Sequence, residues 1–502
     1  MQDYSSVVLR NASGGFGIDQ LRVSRMAVRL LTTYCVVFLL CGSSPAADPA
    51  GWATYRGNPQ RTGNTDNQPG PAAPAVLWSV KSQDHFIASP VPIGDKLFVS
   101  GLGGFNRPTI ALFPFAGKGP KVEPFWSKSA PYLKLASVSS PAYDAEKKVL
   151  VVGDGMHQDS GGLLHCLDAT TSRPLWQLPM PGDLIHLEGG PTILGGKVYI
   201  GGGAAGVLCV ELDKATLDGK DLALAEIAKL QETKWKELLA AYEVKKKTDP
   251  DFAIPPNDDM LLKPSPKKVW QVGQVKWHVD APVNVTGDKV LVPTSFLEKE
   301  KVGERALYCL NAATGETLWK AELALNPWGG ASVSGDTVIV PGSSIGYYFN
   351  DVKGAKGDLS AFDLATGKPK WKKEVPGGVV GCVAIADGLG ICTATDGKVR
   401  AYRLTDGDRA WIYDAKYNIF APPAVAGGVA YAADLQGTVH AIDLKTGAPK
   451  WVFSLAKDSA VNAPGMVYGG VTVHGGKVCV ATCNLEGPNA RKDTAIVVLG
   501  SK

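Results

Sequence analysis

The sequence lacks any apolar run long enough to cross a membrane. Its most hydrophobic segment, LLTTYCVVFLL, is shorter than the roughly 20 residues that a membrane-spanning helix needs. It follows Arg22, Arg25 and Arg29 and precedes the small residues of SSPAA, which is the order of a secretory signal peptide cleaved near Ala46 or Ala47. We therefore expect an exported protein, in the periplasm or at the cell surface, whose residues 1–47 are removed.

The start of this targeting segment admits a second interpretation. A signal peptide would begin naturally at Met26, which makes residues 1–25 an upstream extension. Cys41 offers a site for a lipid anchor, but the preceding Leu40 is bulky where a lipoprotein cleavage site usually has a small residue. We therefore expect no lipid anchor.

The sequence also lacks an excess of charge of one sign and a cysteine framework. Its net charge is +4 over 502 residues, which gives no electrostatic reason to expect nucleic acid as a partner. It has no HRD or DFG motif and no glycine-rich nucleotide loop, so it contains no kinase domain. Seven of the nine cysteines follow residue 47 without the pattern of a disulfide framework, and we interpret Cys166, Cys209 and Cys309 as small buried side chains. Cys382 and Cys392 could pair only if the strand register permits it.

A repeat is present instead. The frame GTVHAIDLKTGAPKW, residues 437–451, recurs as GLLHCLDATTSRPLW, RALYCLNAATGETLW, GDLSAFDLATGKPKW and GKVRAYRLTDGDRAW. A second unit lies upstream, with two short β-rich runs joined by Gly-Asp, Gly-Gly or Asp-Gly, which are hairpin signals. The frame supplies two more strands, and four strands per repeat form a propeller blade.

Tryptophans give the number of blades. Eight of them recur at intervals of 40 to 52 residues, apart from one interval of 94: Trp78, Trp126, Trp176, Trp270, Trp319, Trp371, Trp411 and Trp451. The long interval contains an insertion, residues 211–264, whose apolar spacing predicts a helical arm on the third blade. The N-terminal strand AVLWSV is expected to complete the last blade and close the ring. The sequence thus predicts an all-β, eight-bladed propeller over residues 48–502.

The segment AFDLATGKPKW, with Ala361, Gly367 and Trp371, is similar to the tryptophan-docking repeat of the PQQ-like (quinoprotein alcohol dehydrogenase-like) propeller family. In that family the tryptophan ring of one blade packs against the small residue and the glycine of its neighbour. Blade two departs from the pattern with Ser172 in place of the glycine. The resemblance runs from about residue 52 to the end, and the opening WATYRGNPQRTGNT resembles the segment that leads exported members into the ring.

The resemblance implies two classes of function. Quinoprotein dehydrogenases of this family hold pyrroloquinoline quinone (PQQ) and calcium, and the alcohol-oxidising branch has a disulfide between adjacent cysteines. This chain has no Cys-Cys pair, and no set of Glu, Asn and Asp calcium ligands maps onto one pair of blades, so we assign no catalytic residue, PQQ or calcium. BamB-like exported members instead bind partner proteins through their loops. We expect a protein-binding scaffold of the cell envelope. The alternative is a PQQ-dependent oxidoreductase whose cofactor site differs from the usual one.

Three histidines share one position of the repeat. His85, His186 and His278 each lie 11 residues before a hairpin lysine, just ahead of the innermost strand of blades one, three and four. Acidic residues accompany them, among them Glu188 and Asp280. One interpretation is a metal-binding cluster at the mouth of the central channel, since imidazole and carboxylate suit divalent metals. The other is that these loops share a hydrogen-bonding histidine and lie too far apart to converge.

Overall fold

The described part of the chain forms eight antiparallel sheets, of which seven have four strands and the third has a fifth, short strand that belongs to its insertion. The computed structural model describes residues 52, 54–63, 66–104, 107–117, 119, 122–157 and 159–501. The predicted signal peptide, the expectation that Cys41 has no lipid anchor and the predicted boundary at residue 47 all lie outside these residues. The eight-bladed propeller predicted from the sequence is confirmed.

The first four blades contain these strands: β2 (Val91–Ile93), β3 (Lys96–Leu102), β4 (Pro108–Pro114) and β5 (Trp126–Lys128); β6 (Ala142–Asp144), β7 (Val149–Gly153), β8 (Leu163–Asp168) and β9 (Pro174–Pro179); β10 (Thr192–Leu194), β11 (Lys197–Gly201), β12 (Val207–Leu217) and β14 (Ser265–Val272); β15 (Asn284–Thr286), β16 (Lys289–Leu297), β17 (Val302–Asn311) and β18 (Thr317–Glu322).

The last four blades contain these strands: β19 (Ser332–Ser334), β20 (Thr337–Ser343), β21 (Lys356–Asp363) and β22 (Pro369–Pro376); β23 (Ala384–Ala386), β24 (Leu389–Thr393), β25 (Lys398–Arg403) and β26 (Arg409–Asp414); β27 (Ala424–Ala426), β28 (Val429–Ala433), β29 (Thr438–Asp443) and β30 (Pro449–Ser454); β31 (Thr472–His474), β32 (Lys477–Ala481), β33 (Thr494–Gly500) and β1 (Ala75–Ser82).

The ring closes by pairing the two ends of the chain. Strand β1 pairs antiparallel with β33, from Ala75 opposite Gly500 to Ser82 opposite Thr494. The last blade therefore takes three strands from the C-terminus and its outer strand from the N-terminal side, as the segment AVLWSV predicted. Closure of this kind removes the free sheet edges that the first and last blades would otherwise expose.

Tryptophans join neighbouring blades by a repeated contact. Each indole N–H donates to a backbone carbonyl of the next blade, at 2.7 to 3.4 Å: Trp78 to Phe115, Trp126 to Ala169, Trp176 to Leu212, Trp270 to Ala312, Trp319 to Leu364, Trp371 to Leu404, Trp411 to Leu444 and Trp451 to Pro71. Because the last of these acceptors belongs to the segment just before β1, the contacts run right round the ring.

The leader, residues 52 and 54–63, lies inside the ring. The first strand of each blade is the innermost one, and one edge of it pairs with the second strand of its blade. The leader meets the other edge, since amides of four successive blades donate to leader carbonyls: Val285 to Pro59, Val333 to Gln60, Ile385 to Thr62 and Val425 to Gly63. These bonds satisfy inner-edge groups that would otherwise be buried without partners.

The insertion predicted at residues 211–264 consists of the end of β12, a short strand β13 (Lys220–Ala223), helix α1 (Leu224–Thr248) and two 3-10 turns, Pro250–Phe252 and Asp258–Met260. The first half of α1 packs on the ring, with Ile227 and Gln231 buried, and the Arg173 guanidinium of blade two lies 4.1 Å from the centre of the Trp235 ring. The second half has no buried residue. The arm is therefore anchored at one end and exposed at the other. No helix in the described part of the chain is long and apolar enough to span a membrane.

Candidate functional site

Four side chains from three connecting segments meet on one side of the ring. His157 lies in the loop between β7 and β8 of blade two, and His186 lies in the connection from β9 to β10. His278 and Asp280 lie in the connection from β14 to β15. The β7–β8 loop joins the two middle strands of blade two, and the other two segments lead into the innermost strands of blades three and four. Because these blades are consecutive, the fold brings together residues that are far apart in the sequence. We call these four residues the histidine cluster.

The donor atoms of the histidine cluster all lie within 4.8 Å of one another. The Asp280 carboxylate is at its centre: Oδ1 is 2.9 Å from Nε2 of His186 and 2.9 Å from Nε2 of His278, and Oδ2 is 3.6 Å from Nδ1 of His157. His186 and His278 are fully buried, whereas the His157 side chain keeps 25% of its exposure. The cluster is therefore almost entirely buried, and it reaches solvent only through the partly exposed side chain of His157.

Electrostatics hold Asp280 ionised. Burial opposes its ionisation, but the facing imidazoles outweigh burial and hold the pKa of Asp280 well below its usual range. Burial likewise opposes protonation of His186, but the Asp280 carboxylate overrides it and raises the pKa of His186 to about 9. The adjacent Asp280 carboxylate also raises the pKa of His157. Burial and the nearby Asp280 charge raise the pKa of Glu188, whose carboxylate accepts the backbone N–H of His157.

The structure brings together only part of the set predicted from the sequence. His186, His278 and Asp280 converge, and Glu188 adjoins them, so the interpretation that the loops lie too far apart does not describe blades three and four. His85 is elsewhere, where its Nδ1 accepts the backbone N–H of Asn484. The sequence analysis missed His157, because this residue lies outside the repeat position that the other histidines share. The only sequence signal for it is a histidine in an acidic loop, GDGMHQDS.

Other buried histidines of the ring have ordinary structural contacts. In blade two, His165 lies 3.0 Å from Asp154 and 3.1 Å from the Tyr132 hydroxyl. In blade seven, His440 bonds in the same way to Asp434 and Tyr413. Each of these imidazole rings has a hydrogen-bond partner at both nitrogens, and each carboxylate contacts one histidine. The histidine cluster differs from both, because three rings share one carboxylate.

The fold and its blade contacts define the class of protein. Eight four-stranded blades, joined by tryptophan indoles and closed by the N-terminal strand, define a PQQ-like repeat propeller. Within that class, the family described as outer membrane protein assembly factor BamB matches residues 71–232, 262–351 and 307–487. These ranges cover more than half of the chain, and the protein belongs to this family.

Several solved structures share the fold at low sequence identity. BamB from Moraxella catarrhalis is 15% identical with a TM-score of 0.55, over 86% of this chain and 98% of that one. A europium-containing methanol dehydrogenase is 12% identical with a TM-score of 0.57, over 91% and 99%. The quinohemoprotein alcohol dehydrogenase from Comamonas testosteroni is 13% identical with a TM-score of 0.61, over 91% and 82%. No curated protein sequence matches the chain. The fold alone therefore does not choose between an assembly factor and an oxidoreductase.

Proposed function

We propose that this chain is a protein-binding scaffold of the cell envelope that docks a partner through its arm. The observation that carries the proposal is the apolar surface of the insertion. Six of the fifteen large apolar side chains that the described residues expose belong to it: Leu230, Leu239, Val244, Phe252, Ile254 and Met260. Contiguous exposed apolar patches mark protein interaction sites, and we propose that these side chains form one.

Phe252 and Ile254 are the most exposed of these six side chains. They keep 73% and 70% of their exposure and lie between the end of α1 and the second 3-10 turn. The turn itself is fixed to the ring, because Asp258 pairs with both Lys128 and Arg173. Large apolar side chains that enter a pocket on a partner commonly supply most of the binding energy of an interface. The family description, outer membrane protein assembly, points to another exported protein of that process as the partner.

The test combines crosslinking with a measured affinity. A photo-crosslinking residue at position 252 of the exported chain should yield a reproducible adduct, identified by mass spectrometry and then purified. The double variant F252S/I254S should weaken binding of that purified partner at least about tenfold, the effect of losing hot-spot side chains. V275S is the matched control, since Val275 is 85% exposed but lies outside the arm. Equal affinities for the two variants would contradict docking through the arm.

The histidine cluster does not fit the calcium of PQQ enzymes. Calcium takes six to eight oxygen ligands, whereas three of the four donors here are imidazole nitrogens. We therefore derive no redox step from this site. Titration of the purified protein with PQQ and calcium should give no saturable change in cofactor absorbance. Saturable binding, with reduction of a dye when alcohols are added, would overturn the scaffold proposal in favour of an oxidoreductase.

A further inference from the structure

We propose that His157, His186, His278 and Asp280 bind one transition-metal dication of the zinc type, which links the loops of blades two, three and four. The proposal is independent of what the arm binds. It rests on the geometry of the donor atoms, on buried polar atoms without partners, and on the chemistry of the donor set.

The donor atoms already have almost the spacing of a coordination shell. Tetrahedral zinc with bonds of about 2.0 to 2.2 Å places neighbouring donors about 3.3 Å apart. Nε2 of His186 and Nε2 of His278 each lie 2.9 Å from Oδ1 of Asp280, Nδ1 of His157 lies 3.6 Å from Oδ2, and all the donor atoms lie within 4.8 Å of one another. A metal ion at the centre would therefore require only small movements of side chains that three separate loops already bring together.

Two of the four residues have buried atoms without hydrogen-bond partners among the described residues. Both ring nitrogens of His278 and Oδ2 of Asp280 lack such a partner. His278 Nε2 lies close to Asp280 Oδ1 but makes no hydrogen bond to it. Buried polar atoms are almost always paired, so each exception requires an explanation. A metal ion bound between His278 Nε2 and the Asp280 carboxylate would supply the missing partner at the point where these atoms face each other.

Neighbouring groups hold the ligands in the orientation that a metal needs. Nδ1 of His186 lies 3.4 Å from the backbone carbonyl of Asp159, and donation there leaves Nε2 free to bind metal. Glu188 accepts the backbone N–H of His157 and so fixes the loop that carries this ligand. Hydrogen bonds of this kind typically fix the tautomer and ring orientation of metal-binding histidines.

The donor set selects the class of metal. Imidazole nitrogen is a preferred donor for Zn²⁺, Cu²⁺, Ni²⁺ and Co²⁺, whereas Mg²⁺ and Ca²⁺ prefer oxygen. Four protein ligands fill a tetrahedral shell, which is the arrangement of structural zinc sites rather than of sites that keep a position open for water. The expected role is therefore to hold three blades together.

The first experiment measures metal binding directly on the mature protein after treatment with a chelator. Titration calorimetry with Zn²⁺ should give one site per chain, and Co²⁺ should give the intense visible absorption of four-coordinate cobalt. Zn²⁺ should also raise the thermal unfolding midpoint, because an ion that binds only the folded state stabilises it. No saturable Zn²⁺ binding, or the weak absorption of six-coordinate cobalt, would overturn the proposal.

Variants then assign the ligands. H157Q, H186Q and D280N should each weaken Zn²⁺ binding by at least about 100-fold, which exceeds the usual effect of losing a supporting residue. H85Q and H440Q are matched controls, since His85 shares the repeat position and His440 is a buried histidine with its own carboxylate. His157 is the most exposed of the ligands, so H157Q keeps the test decisive if a buried variant fails to fold. Zn²⁺ affinity equal to that of the controls in H157Q would contradict the site.

Discussion

Two arginines of the leader show how differently buried charges are accommodated inside the ring. Arg61 is fully buried, and its guanidinium donates to the carbonyls of Tyr55, Gly190 and Val283 and to the Thr192 hydroxyl. Arg56 is equally buried, but none of its guanidinium nitrogens has a hydrogen-bond partner in the described part of the chain. Its guanidinium instead lies 5.5 Å from the centre of the Trp52 ring. Burial lowers the pKa of both arginines.

This difference predicts opposite outcomes for the same substitution. R61M should lower the free energy of unfolding by about 3 kcal/mol or more, because it leaves several buried acceptors without donors. R56M should change it by less than about 1 kcal/mol, because it removes a buried charge that makes no hydrogen bond to any described residue. Chemical unfolding followed by circular dichroism would measure both. If both variants lost the same free energy of unfolding, Arg56 would make stabilising contacts comparable to the hydrogen bonds of Arg61.

The cysteines of the ring are predicted to be chemically inert. All seven cysteines in the described residues are free and buried, so Cys382 and Cys392 do not pair. Burial raises the pKa of every one of these thiols, and only the thiolate reacts readily. In protein lacking residues 1–47, a thiol reagent should label fewer than one cysteine per folded chain and all seven in denaturant. Rapid labelling of the folded protein would show that a blade opens locally.

At the scale of single residues, the repeat explains why some members of the histidine cluster can be predicted from the sequence and His157 cannot. His186, His278 and Asp280 were found because they occupy a fixed position relative to the hairpins, and equivalent positions on adjacent blades lie near one another. His85 shares the position, but blade one is not adjacent to blades three and four. His157 occupies no repeat position, so only the closed ring reveals that it faces the other two.

At the scale of secondary structure elements, four of the eight docked tryptophans pack against a glycine with positive φ. Gly447 has a φ of 75°, and a Cβ added there would lie 2.8 Å from Cδ2 of Trp411. Gly428 has a φ of 74° but has no atom within 4 Å of its added Cβ. These two glycines therefore share the backbone strain of an alanine substitution and differ only in the contact with the indole.

Alanine substitutions separate the two effects. G428A should destabilise the protein by about 1 to 2 kcal/mol, the cost of a side chain in the left-handed region. G447A should cost about 1 to 3 kcal/mol more, because the added methyl group also displaces the docked indole. Thermal unfolding midpoints of the two variants would measure the difference. Identical midpoints would mean that the glycine is required for the turn alone.

The elements were more predictable than the contacts between them. Turn glycines and alternating apolar residues specify the hairpins locally, and tryptophan spacing counts the blades. Blade two follows the pattern even without its glycine, because Ser172 adopts a φ of 61° at that position. Only its resemblance to the segment of exported family members identified the leader in the sequence. Its bonds to four blades are not predictable from local sequence, because the inner strand edges that make them come together only when the ring forms. The packing of α1 on blade two likewise depends on Arg173, a residue far from the helix in sequence.

At the scale of the whole molecule, the segment 66–83 completes the ring. Strand β1 pairs with β33 along its whole length. The residues just before it also contact blade seven, because the Tyr431 hydroxyl accepts the backbone N–H of Gly70 and Trp451 donates to the carbonyl of Pro71. Without this segment, β33 becomes an unpaired edge that is able to recruit a strand from another chain.

Two truncations separate ring closure from the role of the leader. A chain that starts at residue 66 keeps β1 and should remain monomeric, with a lower unfolding midpoint because it loses the bonds of Arg61 and of the leader carbonyls. A chain that starts at residue 83 should form oligomers or aggregates through β33, as measured by light scattering. A peptide of residues 66–83, added in excess, should restore the monomer and raise the midpoint with peptide concentration, since it binds only the folded ring. A monomeric chain from residue 83 with the same midpoint as the longer one would show that the blades close without their N-terminal strand.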